Sequence, residues 1–396
     1  AYVVPIDQHD PLTVIKMINT LLLSGIEIQQ ANKDFIIGNS YYPEGSFVIS
    51  LAQPKMGLIR NLLGRTFYPD NDWTRGKEGN PLRPYDLATH TMNEFMGVRV
   101  DPVDEPVEGD FQILGDRVTV KGKVESGGTG GYVLYGRLNA SFKAVNLLLN
   151  KGAEVKRVDK AASGLRPGDF IVTMGSEDDL KEIAEKTGVD FKALNVEITD
   201  GIHKLKKPRV AMYQRYYGGN MDEGWTRFLL EMFAFPYTSL MDAEVKKGNL
   251  KAKYDTIILP ADSPEIIMGE IPARYRRYMS AVPPEYRSGI GNEGLEALKD
   301  FVEKGGTLVA MGEACEFAID KLALSVRNIV GNLSSNEFFC PGSTLKVDFD
   351  NTHPLAYGMP AEGLVVFYAS QAFEIIPGQN NEMYETVVRY QKEDLL

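Results

Sequence analysis

The chain repeats itself, and that repeat narrows the folds open to it more than any other feature. Residues 2–31, YVVPIDQHDPLTVIKMINTLLLSGIEIQQA, read as strand, loop, helix and strand. Asp10 is a suitable N-cap and Pro11 a favoured first helical residue. Leu12, Ile15, Ile18, Leu21 and Leu22 recur at helical spacing, and Gly25 stops the helix. Residues 132–161 follow the same plan, with Asn139 or Ser141 as the cap, Gly152 as the stop and AEVKRV as the next strand. Further on, YYPEGSFVIS (41–50) matches GLRPGDFIVT (164–173). Each sets a turn containing Pro and Gly before a β-rich strand. Each is followed by a short helix, PKMGLIRNLLG in one case and EDDLKEIAEKTG in the other.

The expectation is two related small α/β modules of common ancestry, residues 1–105 and 132–206, joined by residues 106–131. The joining segment carries one expected strand pair, FQILGDRVTVKG. Its glycine cluster SGGTGG (126–131) precedes a strand instead of following one. That is the wrong context for a phosphate-binding loop, so a flexible linker is expected.

From residue 207 to 396 the pattern changes to a longer α/β alternation. RVAMYQ, YTSLMD, YDTIILPA and TLVAMG are strands, separated by helices such as GNEGLEALKDFVEKGG. Near-continuous apolar strands between amphipathic helices imply a parallel sheet covered by helices on both faces, as in flavodoxin-like folds. Ligands of such sheets sit at the carboxyl ends of the strands. Here those ends are QRYYGGNMDEG, PADSPE and GEACE.

The last of these ends has the form of a nucleophile elbow. GGTLVAMGEACEFAID (305–320) reads as strand, sharp turn and helix start, the arrangement by which class I glutamine amidotransferases hold a cysteine in Gly-x-Cys-x-Gly. With Gly312 as the first glycine, Ala314 occupies the nucleophile position and Glu316 the second glycine. Cys315 falls one residue late. A cysteine hydrolase also needs a histidine base. His353 in NTHPLAYGMP is the candidate in the C-terminal region, and no acid follows it at His-x-Glu spacing. Cys315 is therefore expected to be a small core residue.

The loop GGNMDEGWTR gathers two glycines, two acids, an aromatic and an arginine at a helix N-terminus. Asn220, Asp222, Glu223, Trp225 and Arg227, with Glu313 from the elbow, are the candidate ligand-binding residues, since free N–H groups at helix N-termini bind anions. The competing reading makes Asn220 or Asp222 a cap, Glu223 a partner of the helix dipole, and Trp225 and Arg227 packing residues. The Arg- and Tyr-rich ARYRRYMSAVPPEYRSG (273–289) suits protein contacts. His9, His90, His203 and His353 are scattered at no zinc spacing, so no metal site is expected within this chain. Cys315 and Cys340 make no framework, and whether they pair is left open.

Charge excludes one class of partner. The net charge of −11 argues against nucleic acid, which needs a basic face. The basic run HKLKKPR (203–209) is short and reads as a solvated linker. No apolar run approaches the roughly 18 residues of a membrane span, and no signal peptide is visible.

Several ordered segments together resemble a known family. YVVPIDQHDPLTVIKMINTLLLSGIEI, YYPEGSFVISLAQP, MDEGWTRFLLEMFAFPYTSLMD, YDTIILP and GGTLVAMGEACEFAID are similar to the region that follows the catalytic domain in large bacterial zinc carboxypeptidase-like proteins of the M14 type. In those proteins an upstream domain carries the zinc ligands, His-x-x-Glu and a later His, and a catalytic Glu. None of these matches a position here, so no catalytic residue carries over. The resemblance implies a secreted or periplasmic setting, zinc in an upstream domain, a peptide substrate of the parent protein, and an amidotransferase-like third module without its nucleophile. Contact with that upstream domain or with further copies of the chain follows, and so does a reading frame that extends in both directions.

The leading expectation is thus a non-catalytic accessory region of a zinc carboxypeptidase-like protein. The alternatives are a stand-alone ligand-binding module of amidotransferase-like fold, or a hydrolase using Cys315 or the pair Asp222 and Glu223.

Overall fold

A computed structural model describes the chain except residues 66, 68, 84–90, 217–218, 271–282, 284–285, 335, 341, 369, 379–380 and 394–396, and the side chain of residue 381. It divides into two compact units. One comprises Ala1–Leu205, Phe339–Ala369 and Thr386–Leu396, the other Lys206–Phe338 and Ser370–Glu385.

The first unit opens with strand β1 (Tyr2–Val4), helix α1 (Pro11–Leu23) and β2 (Gln29–Ala31). The hairpin β3 (Phe35–Ile37) and β4 (Ser40–Tyr42) follows, then β5 (Phe47–Ile49), α2 (Met56–Leu63), α3 (Met92–Phe95), β6 (Asp101–Pro102) and β7 (Phe111–Ile113). The second module runs β8 (Gly131–Leu134), α4 (Asn139–Asn150), β9 (Glu154–Val158), β10 (Phe170–Met174), α5 (Glu177–Thr187), β11 (Lys192–Leu194) and β12 (Ile202–Lys204). The sheets are β6-β1-β5-β2-β7 and β11-β8-β10-β9-β12, antiparallel throughout. Each is a split β-α-β arrangement of ferredoxin-like connectivity with one strand added at an edge.

The repeat is exact in register. Val3 faces Val48 and Asp101 as Val133 faces Ile171 and Lys192. Gln29 faces Val48 as Lys156 faces Ile171, and Ala31 faces Phe111 as Val158 faces Ile202. Side chains alternate across a strand, so equivalent pairings put equivalent residues on the helix-covered face. Val4, Ile18, Phe47 and Ile49 form that core in the first module, and Leu134, Phe170 and Val172 in the second. A polar tie recurs as well. Buried Ser46 accepts from Ile6 N at 3.4 Å, and buried Asp169, one residue before the matching strand, accepts from Gly136 N at 2.8 Å.

Four local expectations are corrected. Neither Asn139 nor Ser141 caps α4. Its cap comes from the other module: Asp10 accepts through Oδ1 from Leu12 N and Thr13 N, and through Oδ2 from Asn139 N at 2.9 Å. One carboxylate so serves the N-termini of both helices. The segment read as a linker is packed backbone. Its β7 extends the first sheet, and Asn19 of α1 both donates to Val118 O and accepts from Val118 N, as a neighbouring strand would. The glycine cluster is a tight turn: Gly130 N donates to Leu194 O at 2.7 Å, and a Cβ on Gly130 would lie 2.2 Å from Val196 O. The basic run is likewise half structured, since His203 and Lys204 sit in β12 and pair with Asp159 and Glu154.

The second unit holds β13 (Val210–Tyr213), α6 (Met221–Met232), β14 (Tyr237–Leu240), α7 (Asp242–Lys246), α8 (Leu250–Lys253), β15 (Thr256–Leu259) and α9 (Pro264–Met268). After it come α10 (Gly291–Glu303), β16 (Thr307–Ala310), α11 (Ala314–Lys321) and β17 (Val326–Asn328). The parallel order β14-β13-β15-β16 is flavodoxin-like. One face, with Ala211, Tyr213, Ile257 and Leu259, packs on α7 to α11 through Val245, Leu250, Leu298, Phe301 and Phe317. The other buries Val210, Met212 and Ile258 against Leu230 of α6, Tyr237 and Met311. The fold is therefore α/β: two small related modules, and a parallel sheet with helices on both faces.

Residues 207–396 were expected to form one continuous module. Instead β18 (Ser343–Phe349), β19 (Glu362–Phe367) and β21 (Val388–Tyr390) make an antiparallel sheet within the first unit, while β20 (Phe373–Ile375) pairs with β17 in the second. The β18–β19 connection seats itself on the second module. Arg157 donates to Pro354 O at 3.1 Å and lies over the Tyr357 ring, and His9 Nε2 meets Gly358 O at 2.8 Å. Among the described residues no helix is long and apolar enough to cross a membrane.

Candidate functional site

The carboxyl ends of β13, β15 and β16 bring residues 214–216 and 219–220, 260–263 and 311–313 together. Asn220 is the N-cap of α6. Its Oδ1 accepts from Asp222 N at 2.9 Å and Glu223 N at 3.2 Å, and its Nδ2 donates to Ala261 O at 3.3 Å. This one side chain locks the helix start to the end of β15. Beside it Asp262 is buried, with Oδ1 2.9 Å from Arg215 Nη1. The Arg215 Nε donates in turn to Gly219 O at 2.9 Å. Burial raises the Asp262 pKa, and the charges of Glu313 and Asp222 add to the rise, against the pull of Asn220 and Arg215. A second buried pair lies beneath: Tyr213 Oη donates to Asp242 Oδ1 at 2.6 Å, and Asp242 Oδ2 accepts from Gly289 N at 3.0 Å. Burial, then Asp242, pushes the Tyr213 hydroxyl well above its ordinary pKa.

Of the residues picked from sequence, Asn220, Asp222 and Glu313 act on Asp262 directly. Glu223 is buried against the sheet, and Arg227 Nη1 stands 3.5 Å from its Oε1, an ion pair without hydrogen-bond geometry. Trp225 does not join them. It is 69% exposed and meets the Phe228 ring edge-on, at 6.1 Å. Arg215, Asp262 and Ser263 were not singled out, although QRYYGG and PADSPE marked two of the strand ends. The buried Asp262 Oδ2, Ser263 Oγ and Glu223 Oε1 have no hydrogen-bond partner.

The elbow differs from its expected register. The left-handed turn falls at Gly312, φ +50°, and a Cβ there would come 2.7 Å from Ala261 Cβ. The residue that such a turn presents is thus Gly312, which has no side chain, and Ala314 is fully buried in the core. Cys315 is half-buried and donates its thiol to Ala310 O at 3.3 Å. Burial and then Glu316 raise its pKa, the opposite of what activates a cysteine. His353 accepts from Leu355 N at 3.2 Å within its own turn. Both thiols are free. Among the described residues no group of three or more His, Cys, Asp or Glu is placed to hold a metal ion. His90, and residues 273–282 and 284–285 of the Arg- and Tyr-rich loop, lie outside the described residues.

The class defined here is an α/β protein with a flavodoxin-like parallel sheet flanked by helices. No family model and no curated protein matches the chain. One solved structure that it resembles is described as a ThuA-like protein, from Bacteroides uniformis. It has 15% sequence identity and a TM-score of 0.27, over 48% of this chain and 73% of that one. A likeness that distant has no bearing on function.

Proposed function

We propose that this chain is a non-catalytic accessory region of an M14-type zinc carboxypeptidase-like protein, shaping substrate access or assembly while an upstream domain hydrolyses the peptide. The observation that carries the non-catalytic half is the elbow: Gly312 stands at the turn, Ala314 is buried, and Cys315 is turned to a carbonyl. The peptidase half rests on the ordered segments that resemble the post-catalytic region of that family. Zinc would supply a Lewis acid and an activated water in the upstream domain. The described residues here offer it no ligand set. A secreted or periplasmic setting belongs to the same proposal.

Purification of the native polypeptide that contains this sequence tests the reading. The expected result is a longer chain that holds zinc and releases C-terminal residues from peptides, with both properties missing from residues 1–396 alone. Peptide, ester or glutamine hydrolysis by residues 1–396, abolished by Cys315→Ala, would overturn it.

A second reading has its own observation. Three buried oxygens lack a hydrogen-bond partner: those of Asp262 and Ser263, at a strand end where such sheets bind ligands, and that of Glu223 in the first turn of α6. They suit a small ligand rich in donors, an amine or a polyol. A panel of such compounds checks this by thermal shift; a ligand at 100 times its dissociation constant adds about 2.7 kcal/mol.

A further inference from the structure

Helix α6 is built inside out. At 100° per residue, Glu223, Thr226 and Leu230 share the side toward the sheet, and Met221, Trp225, Phe228, Leu229 and Met232 share the opposite side. The inward side holds a buried carboxylate. The outward side is apolar, with Met221 83%, Trp225 69%, Phe228 55% and Leu229 49% exposed. A surface helix of a globular protein has the reverse polarity. The sheet face beneath is also thinly covered, and Val309 of β16 on that face remains 39% exposed. Parallel sheets are normally buried on both faces.

Gly224 sits in the same helix with open space where a Cβ would be, so nothing among the described residues requires a glycine there. Glycine weakens a helix interior relative to alanine. Its place beside the exposed stripe gives it a use. Trp225 projects and Gly224 recedes, so the helix carries a knob and a hole one residue apart. A two-fold axis running along the helix direction brings each knob to the other copy's hole, as an isologous interface demands.

We infer that α6 is a homodimer interface, and that two copies of this chain pair through parallel α6 helices with Trp225 of each seated over Gly224 of the other. The four exposed side chains offer on the order of 500 Å² per copy, at the top of what monomers leave bare. Two copies bury about 1,000 Å², the lower bound for a specific interface, which points to a micromolar dimer. The occupant is a second copy because the surface complements itself. This inference stands whether or not the peptidase setting holds.

Sedimentation equilibrium of the 396-residue chain up to about 100 µM tests it. The expected result is a reversible monomer–dimer equilibrium, and a blue shift of Trp225 emission on association in a Trp73→Phe background. Phe228→Glu and Gly224→Leu should each raise the dissociation constant at least tenfold, with unchanged circular dichroism and no lower melting temperature of the monomer. A chain that stays monomeric at the highest concentration overturns the inference, and leaves the stripe to another partner such as an upstream domain. A dimer that persists unchanged in Phe228→Glu overturns it too.

Discussion

Asp169 offers the sharpest test of the repeat. It is buried and accepts twice, from Gly136 N at 2.8 Å through Oδ1 and from Arg166 N at 2.9 Å through Oδ2. Asp169→Ala leaves both amides without this acceptor. A buried donor left unpaired costs about 1–3 kcal/mol; the Gly136 bond is buried and the Arg166 bond only partly so, which puts the two together at about 2–4 kcal/mol. The first module shows what a smaller acceptor can do, because Ser46 holds the equivalent place and accepts from Ile6 N. Asp169→Ser should therefore restore the bond to Gly136 and recover roughly half of the loss. The chain has two compact units, so one global melting temperature is not a clean measure. Amide hydrogen exchange is: protection at Gly136 and Arg166 should drop in Asp169→Ala, and return at Gly136 alone in Asp169→Ser. If Asp169→Ala costs less than about 0.5 kcal/mol and leaves Gly136 protected, the tie is incidental and the argument from the repeat fails.

Three further outcomes follow from geometry. Cys315→Ala should cost about 1 kcal/mol, and the native thiol should alkylate more slowly than free cysteine at pH 8, because burial raises its pKa; rapid labelling of the folded chain would contradict this. Gly130→Ala should destabilise by at least about 2 kcal/mol in a denaturant titration, since its Cβ would lie 2.2 Å from Val196 O; a neutral result would mean that the turn is loose. Arg209 holds Asp255 to a pKa of about 2 by a two-pronged hydrogen bond. The folded value is below the unfolded one, so its contribution is present above pH 4 and is lost as the pH falls toward 2. Both side chains are nearly half exposed, so Asp255→Asn should cost under about 1 kcal/mol at pH 7 and close to nothing at pH 2; equal loss at both values would refute the pairing.

Much of the fold was legible because the repeat fixes local signals twice. YYPEGSF and GLRPGDF mark the same turn, and the structure puts left-handed glycines at Gly45 and Gly168 in both. What was not legible came from contacts between distant residues. Asp10 reads as the cap of the helix that follows it. That it also caps α4 depends on the two modules meeting, which no local spacing reveals. SGGTGG has the composition of a flexible linker, and only the approach of Val196 and Leu194 shows that glycine is required for space instead of for motion. The return of β18, β19 and β21 to the first unit is likewise a matter of packing partners, not of strand propensity.

The site was half legible for a different reason. GGNMDEGWTR displays its helix start openly, and Asn220 caps α6 as its residue type suggests. The error lay in treating the loop's polar and aromatic residues as one cluster. Helical periodicity separates them: Glu223 and Trp225 are 200° apart on the helix, so a ligand beside one cannot touch the other. Ordinary amphipathic logic would then assign Trp225, Phe228 and Leu229 to the core and Glu223 to solvent. The structure reverses both: Glu223 is buried while Trp225, Phe228 and Leu229 stand exposed, and Leu230 is the apolar residue of α6 that packs on the sheet with Val210, Met212 and Ile258. The acids that mark the candidate site and the aromatic stripe that marks the proposed interface are then two consequences of one inverted helix. Restoring the usual polarity, with Glu223→Leu and Trp225→Glu together, would bury an apolar side chain on the inward side of α6 and put a charge on the stripe, removing both features at once.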